Sequence, residues 1–457
     1  MSQNKNNETI ILASALLLTV SIVGGIVWWF TIHPIIIEPG PLQNRISFGE
    51  KSLTPGEISP VKKAGVDAIA AKSYDQAIAN FTAAQQLNRN DPETLIFLNN
   101  ARIKSSKSYT IVASVPIGTD PNTSLEVLRG IAQVQTRINT SGGIKGVPLK
   151  VGIANDDGTP EMAKQIASSL VSNSEVLGVV GPITSDCTLA AGTTYTDGKL
   201  VAISPTSTSV KISDFSPYVF RTVPSDLIAA RSLANYMVNT LQKKNAAVFF
   251  SSQSNYSQSL KSEFVSSVLQ EGGQVSSEFD LSKADFSAAK SIQQATTQGA
   301  EVLMLAPDVD QTLDNALKVI QINQKKLTLL AGDDIYTPKT LKRVGEQAVG
   351  MVLAVPGHID CDPKSDFPSE SWKAWHACVG WRTATSDDAT VALIAALERN
   401  PTRSGVQAAL TSPDFSATGA FGTIRFLASG DRNAPVQLVK IVPGSLAGGD
   451  YDFEPVR

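Results

Sequence analysis

The chain is short of the residues that most chemistry needs. Its 457 residues include three cysteines (Cys187, Cys361, Cys378) and three histidines (His33, His358, His376). So few cysteines exclude a disulfide framework and a cysteine-rich zinc or iron–sulfur site. A serine–histidine–acid triad would need one of the three histidines, and no G-x-S-x-G turn occurs. His358, Cys361, His376 and Cys378 are the one constellation that invites a metal, but H-x2-C followed by H-x-C fits no common zinc pattern. The expectation is therefore a protein with no catalytic residue, no metal and no cofactor. Charge of one sign is also lacking. The 39 Lys and Arg nearly balance the 42 Asp and Glu, and no block of five like charges occurs, so nucleic-acid binding has no electrostatic support. Cys361 and Cys378 leave two readings, a bridge closing a short loop in an oxidising compartment or two plain thiols.

What the sequence does have begins with residues 9–30 (TIILASALLLTVSIVGGIVWWF), which carry no charge. As a helix they would span roughly 33 Å, enough for a hydrocarbon core of ~30 Å. Trp28, Trp29 and Phe30 close the run, where aromatic rings favour the lipid boundary, and Pro34 follows as a stop. The run is longer than the core of a signal peptide and no small-x-small cleavage site follows it, so it reads as an uncleaved single-pass anchor. Lys5, the only basic residue before it, orients it weakly.

Residues 31–58 hold Pro34, Pro39, Pro41 and Pro55 among polar residues and read as a spacer. Over 59–106 the spacing of Val66, Ile69, Tyr74, Ala77, Ile78, Phe81, Ala84 and Leu87 predicts paired helices. The stretch resembles one tetratricopeptide repeat and the start of another, too few to be stable alone, so it is expected to pack on a neighbour. From Tyr109 onward, apolar runs (TIVASVPI, LKVGIAN, VLGVVGP, LVAISP, AAVFF, EVLMLAP, LTLLAG) alternate with amphipathic segments. This predicts an α/β fold with doubly wound parallel sheets, and the length of the region favours two lobes.

In such sheets ligands sit beyond the carboxyl ends of the strands. The residues there (ITSDCT, TSTS, SSQSNYS, DVD, DDIY) offer hydroxyls, amides, an aromatic ring and carboxylates. That chemistry suits a small polar zwitterion, and no Gly-rich phosphate fingerprint occurs at these turns.

Five stretches then resemble, in order, the type I periplasmic binding proteins of the leucine/isoleucine/valine and amide family, substrate receptors of ABC importers. They are RINTSGGIKGVPLKVGIANDDGTPEMA, VVGPITSDCTLAAG, VAISPTSTS, WRTATSDDATVALIAALERN and TGAFGTIRFLASGDR, within residues 108 to about 445. The resemblance implies two lobes joined by three crossings near residues 225, 354 and 426. Lobe 1 would take residues 107–224 and 354–425, lobe 2 residues 225–353 and 426–447, and 448–457 would be a tail.

The resemblance also implies roles. Ser185 would bind a ligand α-carboxylate, Thr206 and Thr208 would supply a main-chain carbonyl and a hydroxyl plus amide, Asp334 or its neighbour Asp333 would meet the ammonium, and Tyr256 would close over the ligand from the second lobe. Each has a plainer reading, since Ser and Thr favour helix caps and turns, and Asp is common in turns. Two positions depart from the family pattern. Asp387 stands where relatives carry tyrosine. Asp308 stands where relatives often offer tyrosine to the ligand side chain, which puts an apolar leucine pocket in doubt and favours a polar or cationic group, or a share of the ammonium. The expected function is extracytoplasmic capture of an amino acid or amide at the inner (plasma) membrane, the solute passing to an ABC permease. The rivals are a sensory receptor with a signalling partner and an envelope interaction protein of the cell-wall synthase regulator type, which binds no solute.

Overall fold

Apolar runs rich in Val, Ile, Leu and Ala become strands, and the segments opened by Ser, Thr or Asp caps become helices. The computed structural model describes residues 42–309, 311–361, 365–445 and 449–456. The expected tail over 1–8, the anchor over 9–30 and residues 31–41 of the spacer lie outside the described residues. Among the described residues no helix is long and apolar enough to cross a membrane.

Lobe 1 is built on a six-stranded sheet, β1 (Ile46–Ser47), β2 (Tyr109–Val115), β3 (Leu149–Asn155), β4 (Val176–Val180), β5 (Ala202–Ser204) and β6 (Val219–Arg221), in the order β1-β3-β2-β4-β5-β6. Strands β2 to β6 run parallel, and β1 adds an antiparallel edge. Lobe 2 carries a seven-stranded sheet, β7 (Asn245–Phe250), β8 (Gln274–Asp280), β9 (Val302–Ala306), β10 (Thr328–Ala331), β11 (Val352–Val355), β14 (Gln437–Pro443) and β15 (Tyr451–Pro455), in the order β15-β14-β11-β10-β9-β7-β8. Between them in sequence, β12 (Ala417–Gly419) and β13 (Gly422–Ile424) form a separate hairpin. The period-2 alternation of a buried strand divides the cores. Ile111 and Val115 of β2 enter one core and Val112 the other, while Ala247 and Phe249 of β7 part in the same way from Ala246 and Val248.

Helices cover these sheets. In chain order they are α1 (Pro60–Ala70), α2 (Tyr74–Leu87), α3 (Pro92–Ile103), α4 (Pro121–Thr140), α5 (Pro160–Ser172), α6 (Ser185–Asp197), α7 (Asp226–Asn235), α8 (Asn255–Gln270), α9 (Ala288–Thr297), α10 (Gln311–Asn323), α11 (Pro338–Ala348), α12 (Asp366–Trp375), α13 (Trp381–Arg399) and α14 (Arg403–Leu410). α13 packs along α4, and Gly130 permits that approach, because a methyl there would fall on the backbone of α13. The chain passes from one sheet to the other three times, after β6, after β11 and before β14. The fully buried Arg221 at the end of β6 ties the first passage to the third, its Nε donating to Asp431 Oδ1 at 2.7 Å.

Three expectations need correction. The sheets are mixed rather than wholly parallel, because β1, β14 and β15 run antiparallel to their neighbours. Residues 449–456, expected as tail, contain β15, whose pairing with β14 covers a sheet edge that would otherwise expose unpaired amides. The described part of the spacer is bound as well. β1 pairs with the edge of β3, and Asn100 of α3 fills the rest of that edge, donating to Val151 O at 2.7 Å and Phe48 O at 2.9 Å. Glu93, completely buried at the start of α3, accepts from Ser52 Oγ (2.6 Å), Leu53 N (2.6 Å) and Thr54 N (3.1 Å) and faces Lys62 Nζ at 2.7 Å. The helices α1 to α3 are thereby joined to lobe 1 by polar contacts as well as by the core around Phe81, Ile96 and Phe97.

Removing one charge of a buried pair strands its partner, at a cost of about 3–5 kcal/mol. Glu93→Gln should therefore lower stability by about that amount and open residues 42–58 to limited proteolysis ahead of global unfolding. An unchanged melting curve together with an unchanged cleavage pattern would refute this role.

Candidate ligand-binding site

A cleft of about 480 Å³ lies between the lobes. Its position follows from strand order. In lobe 1 the order reverses about β2, with β3 on one side and β4 on the other, and in lobe 2 it reverses about β7, between β8 and β9. Adjacent loops diverge at such a switch point and leave a crevice. The wall contributed by lobe 1 uses residues beyond β2 (Thr119, Asp120), β3 (Asp157), β4 (Ile183 to Asp186) and β5 (Thr206, Ser207). The facing wall uses residues beyond β7 (Gln253, Ser254, Tyr256), β9 (Asp308, Val309) and β10 (Asp333, Asp334).

Six of the seven expected ligand-binding residues meet in this cleft: Ser185, Thr206, Tyr256, Asp308, Asp333 and Asp334. Thr208 does not reach the wall. It is buried, and its carbonyl accepts from Asp226 N at 2.8 Å. The capping role set against Ser185 falls to its neighbour, since Thr184 caps α6 by accepting from Cys187 N at 3.2 Å. Ser185 and Asp186 then form the first turn of α6 at the cleft. The first amides of a helix lack intrahelical partners and favour an anion. Thr206 Oγ1 donates to Ile183 O at 2.5 Å, which fixes the two lobe 1 loops against each other.

On the facing wall Tyr256 Oη donates to Asp333 Oδ1 at 2.7 Å. Gly332 makes this possible, because a methyl there would fall on the tyrosine hydroxyl. Asp308 starts its loop by accepting from Val309 N at 2.8 Å. Burial raises the carboxyl pKa of Asp333, and burial together with the nearby Asp333 and Asp308 carboxylates raises that of Asp334 well above the ordinary range.

Sequence reasoning missed Arg382, which α13 extends from lobe 1 into the cleft. Its side chain is 3% exposed and bridges the lobes, donating to Tyr336 O at 3.0 Å, Asp334 Oδ1 at 3.3 Å and Asp333 O at 3.4 Å, with Glu126 Oε2 at 3.9 Å. A signal existed in WRTATSDDAT. A cation in the first turn of a helix opposes the macrodipole, so it calls for anionic partners. Further polar links between the lobes include Asp186, which accepts from Asn255 N (3.1 Å) and Nδ2 (2.5 Å), Val210 N, which donates to Ser259 Oγ at 3.0 Å, and Lys211 Nζ, which donates to Asn255 Oδ1 at 2.6 Å. Asp387 lies away from the cleft, pairing with Arg137 at 3.3 Å, and Asp388 pairs with Arg432. Cys361 and Cys378 are joined to each other, which removes both sulfurs from any thiolate ligand set, and Cys187 is free and buried.

A family model described as periplasmic binding protein matches residues 118–448. The chain belongs to the periplasmic binding proteins. Within the family it is similar to the leucine-specific-binding protein of Salmonella typhimurium, 27% identical over 253 residues (54% of this chain and 66% of the relative). It is 30% identical over 138 residues to an amino acid binding protein of Pseudomonas aeruginosa (30% of this chain and 37% of the relative). The chain thus spans from about a third to just under two thirds of these relatives' length. Among solved structures, an ABC transporter substrate-binding protein of Desulfitobacterium hafniense in complex with Leu superposes with a TM-score of 0.65 at 20% identity, covering 76% of this chain and all of that one. A solute-binding protein of R. palustris in complex with 4-hydroxybenzoate gives 0.66 at 16% identity, covering 76% and 96%. These likenesses establish the two-lobed fold of this periplasmic binding protein.

One buried acid makes the region's response to pH testable. Burial pushes the Asp226 carboxyl, at the start of α7, up to about 7, with the Asp333 charge adding to the effect. In the unfolded chain the group ionises near its ordinary value of 3.8. Between those values the folded protein holds the extra proton, so its stability falls as pH rises from about 4 toward 7 and beyond. Asp226→Asn, which is always neutral, should lose part of the stability gained on acidification from pH 8 to 5.5, a difference of a few kcal/mol by the linkage relation. Parallel pH–melting curves for wild type and variant would contradict the assignment.

Proposed function

We propose that this chain is an extracytoplasmic solute-binding receptor that captures an amino acid or related amide by closing its two lobes, for delivery to an ABC permease. One observation carries the reading. The first turn of α6 with Ser185 faces Tyr256, Asp333 and Asp334 across one interlobe cleft, so a carboxylate has the Ser185 hydroxyl and helix amides on one side and an ammonium has carboxylates on the other. Charge-assisted hydrogen bonds of this kind are about twice as strong as neutral ones. Relatives named as leucine-specific or, more broadly, amino acid binding proteins support the choice. Polar bridges join the cleft walls at Asp186–Asn255 and Val210–Ser259, which suits reversible opening about the three crossings.

The uncharged run over 9–30 supports an uncleaved anchor, with the binding domain on the periplasmic side of the inner membrane. Such an anchor fixes the receptor in place and equally suits reporting the captured solute to a signalling partner. Capture is the same in both cases.

The test uses the full chain, extracted from the membrane pellet with detergent, in a thermal-shift screen against the amino acids, their amides and urea. A ligand at 100 times its dissociation constant should add about 2.7 kcal/mol of stability. Silence across the panel would overturn the receptor reading and favour the envelope interaction protein, and recovery of the protein from the soluble fraction would overturn the anchor.

A further inference from the structure

The charge on the lobe 2 wall does not match a neutral amino acid. Asp308, Asp333 and Asp334 stand together beyond β9 and β10, and the one cation lining the cleft among the described residues is Arg382. That guanidinium is shared with Glu126 at 3.9 Å behind the wall. Lobe 1 does not correct the imbalance. It adds Asp120 and Asp186 to the lining, and its third acid, Asp157, is already paired with Arg45. Lys211 reaches only Asn255 at the rim, at 2.6 Å.

The lining also lacks the apolar wall that a branched aliphatic side chain would bury against. Ile183 and Val309 are its only aliphatic side chains beyond proline among the described residues. A bound leucine would bring one ammonium and one carboxylate and leave the carboxylate excess as it was. Uncompensated charge in a closed, desolvated cleft is costly, and complementarity between site and ligand is what sets selectivity.

We infer that the ligand is an amino acid with a cationic side chain, its α-carboxylate at Ser185 and the first turn of α6 and its two positive groups against Asp308, Asp333 and Asp334. The inference rests on the receptor reading above and names the substrate class of the same cleft. Burial raises the carboxyl pKa of both Asp333 and Asp334, which favours protons on the pair. The charged and titratable groups facing that pair are Asp308, Asp226, Tyr256, Arg382 and Glu126. A dication would take the place of the protons, so binding should strengthen as pH rises from 5 to 7.5 and weaken with added salt.

The test is calorimetric titration of the detergent-solubilised full chain with L-arginine, L-lysine and L-ornithine, compared with L-leucine, L-glutamine and L-glutamate. The basic amino acids should bind at least tenfold more tightly than the neutral ones, with L-glutamate weakest. Asp308→Asn and Asp334→Asn, each checked for folding by circular dichroism, should narrow that preference to less than threefold. Tight binding of a neutral amino acid with weak binding of all three basic ones would overturn the inference and leave the receptor reading standing. A full preference retained in both folded variants would also overturn it, and absence of binding by all six would overturn it too, the receptor reading then being decided by the wider panel of amino acids, amides and urea.

Discussion

The interaction on which the site depends is the guanidinium of Arg382, buried between the lobes among more carboxylates than it can neutralise. It comes from the first turn of α13, which belongs to lobe 1, and it ends on the backbone and side chains that follow β10 in lobe 2. A buried cation needs anionic partners, and a buried group of anions needs cations. Arg382 meets the first demand fully and the second in part. The remaining deficit is what the proposed cationic ligand would fill.

The rest of the fold serves to hold these groups in place. Parallel strands direct their carboxyl ends toward one crevice, and the switch points about β2 and β7 bring the two crevices face to face. The first and third crossings are tied together by Arg221 and Asp431, a second buried ion pair, and Arg221 also donates to Ser209 O at 2.9 Å in the loop after β5. Each sheet is packed on both faces, and Trp381 of α13 enters the core of lobe 2. The N-terminal helices enlarge lobe 1 and leave the cleft open, because Glu93 and Asn100 bind them along the β1 edge of the sheet.

Much of this was legible in the sequence, and the parts that were not share a cause. Alternating apolar runs and amphipathic segments give the sheets, and the loops after those runs hold Ser185, Thr206, Tyr256, Asp308, Asp333 and Asp334, which do line one cleft. What the pattern could not show were contacts made by lone residues from distant elements. Arg382 sits inside a helix rather than beyond a strand, so a search of strand ends passes over it. Thr208 stands beside a true lining residue, yet its carbonyl is taken by the amide that opens α7. The strands at 46–47 and 451–455 are short segments in polar, proline-bearing sequence, and they become strands because a sheet edge was open to receive them. Edge pairing is a tertiary demand with little local signature.

The account stands or falls on whether the excess carboxylates around Arg382 exchange protons for a cation. The most direct measurement is the number of protons released when L-arginine binds at pH 6, read by calorimetry in buffers of differing ionisation enthalpy. The account predicts a net release, up to about one proton per ligand, as Asp333 and Asp334 with their raised pKa values are driven to ionise. Binding with no change in bound protons, or with proton uptake, would contradict it.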